Sequence, residues 1–458
     1  MPAEGQQAAH GAAPRSVTEP APALKRELGL RDVTLFATTC IVGTRWIPAA
    51  AHAGPGSVML WLLAAVFFVA PLAAAVGALA VKYPGTGGLY LWTRADFGPW
   101  HGFLSFWVYW MAIAIWFPSA AMFYMSVAAY TLGPSYAHLA DSRVYVVTAS
   151  LAAIWIALGS NLVGLRIGKW TENVGGASVW VLGALLAGAA ALVWMKRGAA
   201  TPMDIVPKWD WGTVSFWATI AYAMSGLELL GLMGGETRDP ERTLPRAGWI
   251  ASAFATVFYA STTVALLTLL RPEKISELTG LAQGGEKAAE VLGAAWLTPL
   301  IAVLALASAI GQFGGFGTAV SRLPFAAGVD HLLPAAFAKV HPRWGTPHIS
   351  ILALGLVASS LLLAIQLGDT MRAAYQTLVS LMVIVGFLPY LYIFGSAWKA
   401  GKRLSAISGW AITLLAILCS IAPTAEIKSV WLFEAKLGGG TVAVVASAWL
   451  VYRRNHGV

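Results

Sequence analysis

From Leu30 to Tyr452 the chain is a succession of about twelve apolar stretches, each close to the roughly 20 residues a helix needs to cross a bilayer. That feature excludes most folds at once. With 58% hydrophobic and 11% charged residues, the chain has too little polar surface to clothe a soluble globule, in which about a quarter of residues are charged. The stretches fall near 30–53, 57–80, 100–132, 143–161, 172–195, 213–235, 246–270, 293–321, 347–366, 374–397, 405–423 and 437–452. Short alternating segments of the β-barrel kind do not occur in them. The expected fold class is an all-α integral membrane protein with about 12 transmembrane helices.

The first 29 residues, rich in Ala, Pro and Gln, have no apolar core and read as a disordered tail, too polar for a cleaved signal peptide. The basic residues set the orientation. With the N-terminus in the cytoplasm, about 19 of the 30 Lys and Arg fall inside, among them Arg26, Lys82, Arg94, Arg238, Arg242, Arg322, Lys399 and Lys402. About 10 fall outside, and Arg45 is left within a span. The expected location is the cytoplasmic (inner) membrane, multi-pass, with both termini cytoplasmic. A net charge of +9 divided among short loops is a topology signal rather than a nucleic-acid face. Cys40 and Cys419 lie in apolar runs and the eight histidines lack paired spacing, so no disulfide, metal or cofactor is expected. No phosphate-binding glycine loop ending in Lys-Ser/Thr and no catalytic Ser/His or paired-carboxylate set falls in the spans, so neither an ATP-driven pump nor an enzyme is expected.

Two segments are interrupted. Segment one reads Cys40-Ile41-Val42-Gly43-Thr44-Arg45-Trp46-Ile47-Pro48, and Gly and Pro both weaken a helix. Backbone freed at membrane depth must line a protein cavity or a ligand, because lipid offers no hydrogen bonds. Segment six carries Tyr222-Ala223-Met224-Ser225-Gly226-Leu227-Glu228, whose Glu228 is the acidic residue within the spans. One intramembrane cation and one anion therefore sit beside glycines in corresponding segments of two five-helix halves. That is the pattern of an inverted-repeat secondary transporter with its site at the breaks. Half-helix N-termini favour a carboxylate and exposed carbonyls an ammonium group, so a zwitterionic amino acid suits both. Arg45 and Glu228 are expected to pair across the breaks, with direct contact between Arg45 and substrate as the alternative; packing glycines with a plain Pro kink are the structural reading.

Further motifs carry a resemblance. Lys82-Tyr83-Pro84-Gly85-Thr86-Gly87-Gly88-Leu89-Tyr90 follows segment two. Gly235-Glu236-Thr237-Arg238-Asp239-Pro240 follows segment six, and Ser321-Arg322-Leu323-Pro324 runs on to Asp330-His331-Leu332-Leu333-Pro334 and His341-Pro342 after segment eight. With the Gly43 break, these resemble the amino acid–polyamine–organocation (APC) transporter superfamily, amino acid permease branch, over nearly the whole chain. The resemblance implies a 5+5 inverted-repeat core over 30–398, with repeats 30–197 and 213–398, then two extra helices in 399–458. It implies alternating access, with Val42, Gly43 and Thr44 at the substrate carboxylate and Ala223, Met224, Ser225 and Gly226 at the amine. Tyr222 is the nearest aromatic gate, followed by Trp116 and Phe117.

The chain also departs from that family. Arg45 directly after Gly43-Thr44 is unusual. Asn173 to Met195 holds no lysine of the kind some proton-coupled relatives place in helix five. Ser308 is the hydroxyl at the depth of a sodium site between segments one and eight. Gln312, among Gly311, Gly314, Gly315 and Gly317, is either a site side chain or part of small-residue packing. The 271–292 loop reads as an outer cover whose Glu273, Glu277, Glu286 and Glu290 are solvated. The function expected is secondary transport of an amino acid, by exchange or coupled to Na+ or H+. Uptake of a polyamine or other organocation is the alternative, and a non-transporting sensor or scaffold ranks below both. The partners are a small-molecule substrate and the lipid bilayer; oligomer or accessory subunit is not specified.

Overall fold

The computed structural model describes residues 26, 28–83, 85, 87–163, 165–207, 211–366, 370–421 and 429–456. The expected tail up to residue 25, with Pro84 and Thr86 of the loop motif, lies outside the described residues. Among these residues the secondary structure is helical throughout, apart from one isolated bridge between Leu28 and Thr237.

In chain order the helices are α1 (Leu30–Ile41), α2 (Trp46–His52), α3 (Gly56–Lys82), α4 (Leu89–Phe97), α5 (Pro99–Ala128), α6 (Arg143–Val163), α7 (Leu165–Arg197) and α8 (Trp211–Ala223). After a tight 3-10 stretch at Leu227–Met233 come α9 (Pro240–Leu269), α10 (Gly280–Leu292), α11 (Leu297–Val329), α12 (His348–Ile365), α13 (Met371–Lys399), α14 (Arg403–Cys419) and α15 (Val430–His456). Among the described residues ten spans are long and apolar enough to cross a membrane, eleven with the bent α1–α2 pair, and α14 is a shorter apolar helix. The twelve expected stretches thus each have a counterpart. The additions are α4, and α10 inside the expected 271–292 loop.

Local chemistry sets the ends. Gly98 at φ +96° stops α4, and Pro99 opens α5, where a missing N–H costs nothing. The Thr370 side chain accepts from the Ala373 amide at 3.2 Å to cap α13. α5 is the most buried span and α15 the least. The outer helices turn large apolar side chains such as Ile156, Leu404 and Trp431 outward, the surface that a hydrocarbon surround requires.

The glycines of segment eight serve packing. A Cβ on Gly175 would lie 2.4 Å from Gly311 Cα, so α7 and α11 cross backbone to backbone. One on Gly317 would lie 2.2 Å from Asn161 Nδ2, which itself donates to Gly314 O at 3.2 Å.

The loop motifs converge on one face. Arg94 and Tyr90 both hold Asp330, and Arg322 pairs with Glu236 at 2.8 Å. Leu28 donates to Glu236 O at 3.0 Å and accepts from Arg238 N at 2.9 Å. Asp96 takes the Tyr83 hydroxyl at 2.7 Å and lies 3.5 Å from Lys82. Charged side chains that hydropathy could only count as loop residues thereby close one end of the bundle.

Candidate functional site

Both interruptions are present and they abut. α1 stops at Ile41 and α2 starts at Trp46, with a 44° bend between them. Pro48 sits in the first turn of α2, where its absent donor is harmless. α8 stops at Ala223, and Gly226 adopts φ +121°, a conformation that a side chain disfavours. A Cβ on Gly226 would lie 3.0 Å from Cys40 O, so the second break packs straight onto the first.

Side chains satisfy the backbone groups freed at the breaks. The Tyr259 hydroxyl on α9 accepts the Gly43 amide at 2.7 Å and lies 2.8 Å from Ile41 O and 3.2 Å from Ala223 O, either of which can take its proton. Gln312 on α11 donates through Nε2 to Val42 O and accepts the Tyr124 hydroxyl at Oε1, 2.9 Å away. Thr44 donates to that same Tyr124 oxygen at 3.2 Å. Buried backbone polar groups need such partners, and lipid provides none.

Between the breaks is a buried cavity of about 30 Å³, room for roughly two waters. Of the residues expected in the site, Gly43, Arg45, Trp116, Tyr222 and Ala223 line it, as do Ser225, Gly226, Glu228 and Gln312. Val42, Thr44 and Met224 do not, and Phe117 instead stacks on Phe313 at 5.4 Å. Ser308 also lies off the cavity, with its hydroxyl donating to Ala305 O at 2.7 Å. In the aromatic wall, Tyr222 meets Trp46 edge-on at 6.5 Å and Phe387 at 5.2 Å, and Trp116 stacks on Phe316 at 4.5 Å.

The expected Arg45–Glu228 ion pair is not formed: among the described residues no ion pair joins them. Each is held by neutral groups. Arg45 donates through Nη1 to Ser119 Oγ at 2.6 Å and through Nη2 to Met382 Sδ at 3.3 Å, and its Nε has no hydrogen-bond partner. Its guanidinium carbon lies 4.2 Å from the centre of the Trp46 ring and 5.8 Å from that of Trp116. Glu228 accepts the Tyr109 hydroxyl at 2.7 Å and the Gly226 amide at 3.0 Å. Both side chains reach α5, but ten residues apart along it, Arg45 at Ser119 and Glu228 at Tyr109, so the two charges are held at different levels of that helix.

Sequence reasoning missed Trp46, Tyr109, Tyr390 and Phe316 in the wall, and Tyr259 behind it. In a chain with 21 Trp and 13 Tyr, single aromatics carry no signal until helices are placed side by side. Among the described residues no cluster of His, Cys, Asp and Glu could hold a metal ion. Chemically the cavity offers an under-bonded cation, a carboxylate and aromatic faces.

The comparisons agree with this architecture. A family model described as amino acid permease matches residues 28–433. An uncharacterized transporter of Legionella pneumophila is 23% identical over 94% of this chain and 97% of its own. The large neutral amino acids transporter small subunit 2 of Oryctolagus cuniculus is 28% identical over 81% of this chain and 68% of its own. A probable agmatine/putrescine antiporter of Lactococcus lactis is 23% identical over 75% of this chain and 72% of its own. With its apolar spans and its two abutting helix breaks, the chain belongs to the amino acid permease family of membrane transporters.

Proposed function

We propose that the chain is a secondary transporter that carries an amino acid across the cytoplasmic membrane by alternating access. The observation that carries this reading is the meeting of the two broken helices around one buried cavity that holds one cation and one carboxylate. A zwitterion matches that pair of charges, and a site at apposed helix breaks is what alternating access needs. The core comprises repeats 30–197 and 213–398, with 399–458 outside them. Drive comes from exchange or from a Na+ or H+ gradient. The ligands in the names of these relatives, large neutral amino acids and agmatine/putrescine, have an aliphatic ammonium group in common, and a carboxylate-free amine suits Arg45 poorly.

The test is uptake by proteoliposomes containing the full chain, preloaded or empty, with and without Na+ and pH gradients. Saturable uptake of an amino acid, dependent on preloading or on one gradient, is expected. Binding without flux would favour a sensor, and flux of diamines alone would favour the organocation reading. Orientation is tested by cysteines at Lys274 and Glu286, expected to label from outside, and at Arg242 and Lys402, expected to label from inside.

A further inference from the structure

The two charges in the cavity differ in how well they are satisfied. Both Glu228 oxygens already accept a hydrogen bond, one from Tyr109 and one from the Gly226 amide. Arg45 is 1% exposed and offers five N–H donors, yet it has one hydroxyl and one thioether sulfur as acceptors, and its Nε has none. The Trp46 and Trp116 faces orient the guanidinium without neutralising it. A permanently charged group buried in this condition gains more from an incoming anion than any other group in the cavity. The backbone donor at Gly43 is already given to Tyr259.

We infer that Arg45 reads the substrate carboxylate and thereby sets the substrate class: zwitterionic α-amino acids are taken, and amines without a carboxylate are refused. The inference rests on the amino acid transport reading. A zwitterion brings its carboxylate to Arg45 without adding net charge to the cavity. An amine or diamine adds positive charge beside an unpaired guanidinium. An acidic amino acid leaves one negative charge unmatched.

The experiment is a binding cycle on the purified full chain, with L-leucine against isopentylamine and L-arginine against agmatine. The wild type is expected to bind at least one acid about a hundredfold more tightly than its amine. Arg45→Gln is expected to weaken that acid by a similar factor and to leave the amine bound as well as before or better, so that discrimination collapses. Arg45→Lys, with charge but no planar fork, is expected to retain part of it. Equal losses for acid and amine, or an unchanged ratio, overturn the inference. If Arg45→Gln does not fold, wild-type binding of L-leucine methyl ester decides: an ester bound as tightly as the acid overturns it, and a large loss supports it. Amine binding with no amino acid binding by the wild type overturns the transport reading too, whereas amino acid binding with a flat cycle overturns Arg45 alone.

Discussion

The Gly43 amide donates to the Tyr259 hydroxyl at 2.7 Å, and this contact fixes the broken end of α1 to α9. The same oxygen lies 2.8 Å from Ile41 O and 3.2 Å from Ala223 O, so one side chain secures both breaks. Tyr259→Phe keeps the ring that stacks on Trp61 at 4.3 Å and removes only the hydroxyl. It leaves a buried amide unsatisfied and is expected to cost about 1–3 kcal/mol in stability, with weaker substrate binding. Thermal unfolding of the purified protein measures it; an unchanged midpoint would show that Tyr259 is not the tie.

Gly226 is held at φ +121°, with Cys40 O 3.0 Å from where its Cβ would be. Gly226→Ala is therefore expected to lose about 1–3 kcal/mol from backbone strain alone, and to lose transport by pushing the breaks apart. Gly188, with open space around it, is the control, and Gly188→Ala should leave transport intact. Equal behaviour of the two variants in stability and uptake would refute the close apposition.

The proposed alternating access requires the face joined by the Arg322–Glu236 pair to open during the cycle. Arg322→Glu and Glu236→Arg each place like charges together and are expected to reduce uptake several-fold. The double exchange restores the pair with reversed polarity and should recover much of the loss. Purely additive losses in the double variant would mean that the contact does not matter to the cycle.

Glu286 on α10 corrects the expectation that the glutamates of the 271–292 region are simply solvated. Partial burial pushes its carboxyl above the usual range. Ionisation is then harder in the folded state, so its contribution is fully present at acid pH and is lost as pH rises through the raised value. Glu286→Gln should raise the unfolding midpoint at neutral pH, with the advantage vanishing below the ordinary carboxylate range. An equal effect at both pH values would point to packing rather than to charge.

Much was legible from the residues alone because the bilayer is a strict solvent. Lipid satisfies no backbone group, so length and apolarity fix the spans, and a Gly or Pro within a span marks a break. The breaks at Gly43 and Gly226, the cavity charges Arg45 and Glu228, and the packing glycines of α11 were all found in that way. α4 and α10 were not, because short, mixed-polarity helices have no membrane period to announce them. The pairing of charges could not be read either. A sequence places Arg45 and Glu228 in corresponding segments, but only the packed helices decide that Arg45 turns toward Ser119 and Met382 while Glu228 turns toward Tyr109. Side-chain direction depends on helix rotation about its axis, which residues distant in the chain set together. Tyr259 is the same case, 216 residues from the amide it holds, and no local pattern encodes that distance.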